Sequence, residues 1–171
     1  MPPELWPEVR EIYREGIATG NATFETELPD WERWDNGHLK HCRLVALETM
    51  GEDIGELVIS LNKLRVLGWA ALSPVSTRHV YRGVAEVSVY VAASARGCGV
   101  GKALLEALVE ASEAHGIWTL QASIFRENRP SLALHQSCGF RKVGVRRKIA
   151  KLGNHWRDVL LLERRSAKVG L

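Results

Sequence analysis

The chain has 171 residues, of which 46% are hydrophobic and 25% charged, and it carries a formal net charge of +3. These values are typical of a soluble globular protein, and the length predicts one domain over residues 1–171. The basic residues are spread along the chain, which argues against a nucleic-acid partner. The sequence contains neither a membrane-spanning apolar run nor a signal-peptide pattern, so we expect a cytoplasmic protein with no membrane partner.

Hydrophobic periodicity predicts, in the first half of the chain, helices at 5–17 and 31–40 and strands at 43–48 and 65–72. Asp30 is the candidate N-cap of the second helix. Residues 49–62 are ambiguous because glycines interrupt them, although residues 57–59, Leu-Val-Ile, are compatible with an extra strand. A polar loop follows at 75–83.

The second half predicts strands at 84–92, 118–125, 140–150 and 156–162 and helices at 99–115 and 128–139. Gly116 is the expected stop of the first of these helices. A turn at Gly153 and Asn154 predicts a hairpin between the last two strands, and the tail from Ser166 is expected to be frayed. This order of elements predicts an α/β fold on a mixed sheet.

Residues 96–102, Arg-Gly-Cys-Gly-Val-Gly-Lys, join a β-branched strand to the start of a helix. Glycines let the backbone approach a ligand, and the free N–H groups and dipole of a helix N-terminus attract an anion, above all a phosphate. The Walker A spacing fails because position 96 is not glycine and Ala103 follows the lysine. The dinucleotide fingerprint fails because its third glycine would fall on Lys102 or Leu104. A different phosphate loop or a plain glycine turn remains.

The three cysteines, Cys42, Cys98 and Cys138, are an odd number without metal-ligand spacing. This pattern predicts reduced thiols and no bound metal. Cys98 lies at a predicted helix N-terminus, where a thiol is a candidate nucleophile, although a small residue that fills the loop is the simpler interpretation.

The loop motif R-G-x-G-x-G/A resembles the pyrophosphate loop of the GCN5-related N-acetyltransferases (GNAT family), whose ligand is acetyl-coenzyme A (acetyl-CoA). Downstream segments that fit the same family are 127–128, 131–135 and 138–140. More narrowly, the chain resembles the phosphinothricin and methionine sulfoximine N-acetyltransferases, through segments 12–13, 21–26, 68–70, 81–82, 84–91, 156–158 and 162–165. The resemblance implies a GNAT fold with a mixed, mostly antiparallel central sheet, helices on both faces, and a homodimer. Relatives usually begin with a short strand, whereas this sequence opens almost at the first helix.

The resemblance also assigns residues to acetyl-CoA. Backbone groups of Val89, Tyr90 and Val91 are expected to pair with the pantetheine arm as if it were a further strand, and one N–H to polarise the thioester carbonyl. The residues expected to hold the pyrophosphate are Arg96, Gly97, Cys98, Gly99, Val100, Gly101 and Lys102. Asn128 matches a position that contacts the cofactor, and a helix N-cap is its structural alternative.

Glu86 is the predicted general base. On an extended strand it points away from the face that Ala85 and Val87 share, and a buried carboxylate is costly unless it is solvated or paired. A place in a cleft is therefore expected, where the carboxylate takes a proton from an amine before the amine attacks. An ion pair with Arg82 or Arg78 is the alternative.

The acceptor is expected to contact Ser76, Thr77, Arg78, Val87 and Ser88. By resemblance, Arg78 would hold an amino-acid carboxylate through two hydrogen bonds, and a solvated loop is the alternative. Ser76 stands where many relatives have arginine. His135 stands where many family members have a tyrosine that protonates the departing thiolate, so it is either a candidate acid or a structural helix residue.

The sequence therefore predicts an enzyme that moves the acetyl group of acetyl-CoA to the α-amino group of a small amino-acid-like substrate. Phosphinothricin and methionine sulfoximine are the expected kind of acceptor, and direct attack in a ternary complex is the expected mechanism. One alternative is an acetyltransferase for another amine, such as a protein N-terminus or a polyamine. The other is a non-catalytic sensor that binds coenzyme A.

Overall fold

The computed structural model describes residues 1–48 and 65–171. In chain order, its helices and strands are α1 (Trp6–Ala18), α2 (Trp31–Gly37), β1 (Leu44–Leu47), β2 (Val66–Pro74), β3 (Val84–Val91), α3 (Val100–Ala114), β4 (Thr119–Phe125), α4 (Arg129–Ser137), β5 (Arg141–Leu152) and β6 (His155–Arg165). The extra strand considered at 57–59 lies outside the described residues. None of the described helices combines the length and apolarity needed to cross a bilayer.

Local sequence signals set several element boundaries as predicted. Asp30 caps α2, because its Oδ1 accepts a hydrogen bond from the N–H of Arg33 at 2.8 Å. Gly116, with φ at 73°, follows the end of α3. The β5–β6 hairpin also forms, and Gly153 lies in its turn with φ at 57°.

Several predicted boundaries are wrong by two or three residues; strand β6, for example, extends to Arg165 instead of ending at Leu162. Helix α2 ends at Gly37 instead of near Lys40, because His38 already has an extended backbone (φ −119°, ψ 149°). Strand β2 continues through Ser73 and Pro74, which pair with β3. Proline is tolerated at this strand end because its fixed φ is compatible with extended backbone.

The six strands of the described residues form one sheet in the order β1-β2-β3-β4-β6-β5. Strands β3 and β4 run parallel, and every other neighbouring pair is antiparallel. The predicted mixed, mostly antiparallel sheet is confirmed.

Helices cover both faces of the sheet, as predicted. Helices α3 and α4 pack on one face, over a core whose most buried leucines are Leu72, Leu105, Leu108, Leu120 and Leu162. Burial of each such side chain contributes about 2 kcal/mol. On the other face, α1 and α2 supply an aromatic cluster centred on Trp34. The ring centroids of Trp6, Trp31 and Trp69 lie 5.4–5.7 Å from that of Trp34.

The C-terminal tail is anchored, so the prediction of a frayed tail is wrong. Glu113 on α3 is only 8% exposed. Its carboxylate accepts hydrogen bonds from Arg164 and Ser166 at 3.0 Å and lies 3.1 Å from the Nζ of Lys168. Burial alone raises the pKa of the Glu113 carboxyl, but these three donors together lower it below its usual value.

Replacing Glu113 with glutamine should destabilise the fold by roughly 1–3 kcal/mol at neutral pH, because buried donors lose a charged acceptor. Since the folded pKa is lowered, the contribution of Glu113 is fully present above its unfolded pKa near 4.5 and is lost as the pH falls through the folded value. Urea denaturation at neutral pH and near pH 3.5 measures both effects. Glu110→Gln, on the exposed side of the same helix, is the control. A difference from wild type that does not shrink in acid would contradict this role.

Candidate active site

A cleft opens where β3 and β4 separate. The two parallel strands pair over three residues each, 84–86 with 119–121. Beyond this point β3 remains paired with β2 and β4 with β6, so the two strands diverge. The gap is a cleft of about 910 Å³, lined by residues 86–91 of β3 and 122–125 of β4.

The cleft exposes one edge of β3. Residues 87–91 pair with β2 on one side, but no strand within 1–48 and 65–171 pairs with their other side. The N–H and C=O groups of an open strand edge need partners, and a ligand with amide groups supplies them by adding as a further strand. This edge is the one predicted for the pantetheine arm.

The glycine loop closes one end of the cleft. Gly97 and Gly99 have φ values of 80° and 82°, which glycine adopts far more readily than other residues. Gly99 is the N-cap of α3, and no side chain in the described part of the chain caps this helix. The N–H groups of residues 100–102 therefore lack helical partners, and these residues line the cleft together with Arg96. Free N–H groups and positive charge at a helix start fit a pyrophosphate.

The free edge of β3 is backed by tightly packed aromatic rings. The ring of Tyr90 stacks on Trp69 at 4.7 Å between centroids and meets Tyr13 edge-on at 4.9 Å. Gly16 of α1 lies so close that a Cβ there would be 2.7 Å from the Tyr90 ring. Burial raises the pKa of Tyr90, so its hydroxyl stays protonated. The tyrosine side chain is thus structural, and its backbone remains available to the cleft.

Glu86 lies at the point where the strands separate. Its side chain is half-buried and lines the cleft. The Nε2 of Gln121 donates a hydrogen bond to Glu86 Oε2 at 2.9 Å. The alternative of an ion pair with Arg78 or Arg82 does not form, because these guanidinium groups lie over neighbouring aromatic rings. A neutral amide therefore orients the Glu86 carboxylate, and Oε1 has no hydrogen-bond partner among the described residues, so it can accept a proton.

A loop at residues 21–25 forms a wall of the cleft, and no functional role was predicted for it from the sequence. Arg157 of β6 donates to Asn21 Oδ1 and to the preceding carbonyl, both at 3.0 Å. Asn128 Nδ2 donates to the carbonyl of Asn21, also at 3.0 Å. The resemblance segments 21–26 and 156–158 contained these residues, but no local pattern links positions 136 residues apart.

Asn128 is also the N-cap of α4, because its Oδ1 accepts from the N–H of Ser131 at 3.3 Å. The structural alternative for Asn128 is thereby confirmed. Its contact with the cofactor stays a prediction, and its position on the cleft is compatible with both roles.

Most of the predicted site residues lie in this cleft. Those that line it are Glu86, Val87, Ser88, Val89, Tyr90, Val91, Arg96, Gly97, Gly99, Val100, Gly101, Lys102 and Asn128. Cys98 is exposed and is not among the lining residues. The loop after β2 also stays outside the cleft, with the N–H of Arg78 donating to Ser76 Oγ at 3.2 Å and Thr77 exposed between them. The acceptor-binding roles of that loop stay predictions.

His135 of α4 lines the cleft but is only 4% exposed. Its Nδ1 lies 2.8 Å from the carbonyl of Ser131, a contact that assigns the ring proton to Nδ1. Nε2 is buried without a hydrogen-bond partner among the described residues. Burial lowers the pKa of His135, so the ring is neutral near pH 7. In this geometry Nε2 accepts a proton and has none to donate, which favours a structural or accepting role over that of a general acid.

An open strand edge beside a glycine-rich helix start fits one class of protein in particular, the transferases that bind an acyl-coenzyme A. The chain belongs to the Acetyltransferase (GNAT) family, whose sequence profile matches residues 6–140. The protein is an acetyl-CoA-dependent N-acetyltransferase, and acetyl-CoA is its co-substrate.

Relatives of this chain confirm the narrower resemblance. A phosphinothricin N-acetyltransferase of Alcaligenes faecalis is 33% identical over 161 residues, which are 92% of this chain and 76% of that protein. An L-methionine sulfoximine/L-methionine sulfone acetyltransferase of Pseudomonas paraeruginosa is 27% identical over 162 residues, 92% of this chain and 87% of that one. Among solved structures, this chain is similar to a phosphinothricin acetyltransferase from Sinorhizobium meliloti, crystallised in complex with AcCoA. The two chains superpose with a TM-score of 0.81 and 28% identity, over 99% of this chain and 88% of the other.

Gly99→Ala should weaken the binding of acetyl-CoA by about tenfold or more, because a Cβ disfavours the left-handed backbone that opens α3, by about 1–2 kcal/mol. Calorimetric titration with acetyl-CoA measures the change. Gly153→Ala is the matched control, since Gly153 also has positive φ and open space around it but lies in the β5–β6 turn. Both variants should lose similar thermal stability. Equal affinity of the two variants for acetyl-CoA would show that the loop backbone does not hold the ligand.

Proposed function

We propose that this acetyltransferase acts on the α-amino group of a small amino-acid-like compound, with phosphinothricin and methionine sulfoximine as the first candidates. The observation that carries the proposal is the Glu86 carboxylate, oriented by Gln121 at the start of the cleft. The names of the relatives from Alcaligenes and Pseudomonas support the class of acceptor.

On the donor side, the chain contributes mainly backbone groups. The free edge at residues 87–91 would hold the pantetheine arm by strand-like hydrogen bonds. The N–H groups of residues 100–102, with Arg96 and Lys102, would hold the pyrophosphate. Acetyl-CoA supplies an acetyl group activated as a thioester, and one N–H of the β3 edge is available to polarise its carbonyl.

On the acceptor side, Glu86 removes the proton that an α-amino group carries at neutral pH. The proton passes to the free Oε1, directly or through one water molecule, and the resulting amine forms the new C–N bond as the C–S bond breaks. On attack the nitrogen becomes cationic and releases its second proton to solvent, and the thiolate of coenzyme A takes up a proton from solvent. No residue of the chain is acetylated in this scheme, which therefore requires both substrates in the cleft together.

The charge of the cleft favours an amino acid over a polyamine. Only two carboxylates, Glu25 and Glu86, are among the described residues that line it. A polyamine needs several anionic contacts for its additional cationic groups. An amino-acid carboxylate instead needs a cation, and Arg78 in the adjoining loop is our candidate for that contact.

We also propose a cytoplasmic homodimer. Its support is the resemblance, the three free cysteines, and an apolar patch on the β5–β6 hairpin where Val143, Val145, Ile149 and Trp156 are 39–54% exposed. Sedimentation equilibrium at micromolar concentration tests the assembly, and a monomeric mass there would contradict it.

Glu86→Gln should lower kcat by roughly 100-fold or more and leave the affinity for acetyl-CoA unchanged, because only proton transfer loses its base. The activity that remains should rise with pH, since a larger fraction of the amine is then already deprotonated. Steady-state kinetics and calorimetry measure the two effects, with the exposed Glu110→Gln as control. An equal loss of acetyl-CoA affinity would assign Glu86 to binding, and unchanged kcat would remove it from the mechanism.

The acceptor is tested by release of free coenzyme A with a panel of amines. Phosphinothricin and methionine sulfoximine should be turned over, and their α-carboxamide derivatives should have a higher KM because the carboxylate contact is lost. A peptide amine and a polyamine cover the alternative acceptors. If only the peptide amine or only the polyamine is turned over, that amine defines the acceptor class and the amino-acid proposal is wrong. Binding of acetyl-CoA without turnover of any amine would favour the sensor.

A further inference from the structure

We propose that His41, Cys42 and His115 form a zinc-binding site, separate from the acetyl-transfer cleft. The first two residues precede β1 and the third caps the C-terminal end of α3. One ligand atom of each lies within 4.8 Å of the others. Thiolate and imidazole are the ligands that zinc prefers among protein side chains.

The distances suit a tetrahedral ion. Cys42 Sγ lies 3.2 Å from Nδ1 of His41 and 3.6 Å from Nδ1 of His115. Zn–S and Zn–N bonds of about 2.3 and 2.05 Å at tetrahedral angles place sulfur and nitrogen about 3.5 Å apart. In the stacked arrangement, before either imidazole turns, the two separations fall on either side of this value.

The backbone at Cys42 supports a ligand role. Adjacent residues of an extended chain point to opposite sides, so His41 and Cys42 would normally not converge. Cys42 instead has φ at 56°, a left-handed conformation that costs about 1–2 kcal/mol in a residue with a Cβ. Strain of this kind persists where the surrounding structure enforces it and is frequent at ligand sites. Here the strained backbone accompanies the convergence of the two neighbouring side chains.

Metal capture requires one ring to turn. The imidazoles of His41 and His115 are stacked, 4.5 Å apart and 4° from parallel, and parallel ring planes cannot both contain the ion. His115 is exposed, and within residues 1–48 and 65–171 its Nδ1 contacts the Ala111 carbonyl (2.8 Å) and the more distant Cys42 sulfur. Rotation of this exposed ring would exchange its hydrogen bond to Ala111 and its stacking on His41 for a bond to the ion, and it would also provide a path from solvent.

The coordination shell has three protein ligands, and water completes it. No other His, Cys, Asp or Glu of residues 1–48 and 65–171 joins the group. Binding converts the Cys42 thiol to a thiolate and releases its proton to solvent. The ion would connect the start of β1 to the end of α3. It would lie about 22 Å, the length of a 15-residue helix, from the glycine loop at the other end of α3.

Cobalt and zinc titrations of the full, reduced chain test the site. Co²⁺ should give a thiolate-to-metal charge-transfer band that saturates at one ion per chain, and Zn²⁺ should displace it. Zinc at roughly 100 times its Kd should raise Tm by about 5–10 °C. Acetyl-CoA binding should not change, so failure of this proposal leaves the proposed acetyl transfer standing.

Substitutions distinguish this site from adventitious binding. Cys42→Ser should abolish the charge-transfer band, whereas Cys138→Ser should retain it. His115→Gln, at an exposed position where the fold is not at risk, should weaken binding by about tenfold or more. The exposed His155→Gln is its control. Absence of a charge-transfer band in the wild-type chain, or a band that persists in Cys42→Ser, would overturn the proposal and leave the two histidines as a stacked surface pair.

Discussion

The incomplete pairing of β3 with β4 is the constraint on which the rest of the site depends. Each of these two strands is hydrogen-bonded to another strand along its other edge. All seven residues of β4 pair with β6, and residues 85–91 of β3 pair with β2. The two halves of the sheet are joined by three residue pairs. A backbone edge left open by this division cannot be buried without partners, so it has to face solvent or a ligand. The cleft is therefore a consequence of strand topology, and the strand edge that it exposes offers backbone N–H and C=O groups.

An open strand edge is useful only if it keeps its shape, and the two faces of β3 provide this rigidity. On one face Tyr90 is held between Trp69 and Tyr13, where α1 approaches through Gly16. On the other face the first turn of α3 packs against the same strand. Preorganised backbone donors lose little conformational freedom when a ligand binds, which makes each hydrogen bond to the edge more effective.

Features that depend on neighbouring residues were predictable from the sequence, and features that depend on distant residues were not. The glycine loop and the caps at Asp30 and Asn128 involve a few consecutive residues, so spacing alone located them. The divergence of β3 from β4, the bond from Gln121 to Glu86, and the contact of Arg157 with Asn21 arise from chain topology. The prediction of a frayed tail failed for the same reason, because Glu113 lies more than 50 residues from the tail residues that anchor to it.

Helix α3 shows how one element can serve ligands of opposite charge. Its dipole places partial positive charge at the uncapped start, where residues 100–102 face the cleft, and partial negative charge at the end near His115. An anionic pyrophosphate at the first end and a cation at the second would both be stabilised by the same peptide dipoles.

The acetyl donor is easier to predict from the sequence than the acceptor, because the two rely on different chemical groups of the chain. The groups predicted to bind the donor belong to the backbone, and the backbone conformation of their loop requires glycine at particular positions. The class of donor can therefore be predicted from the sequence. The contacts predicted for the acceptor are made by side chains, such as that of Arg78, and side-chain contacts do not demand one residue type at a given position to the same degree.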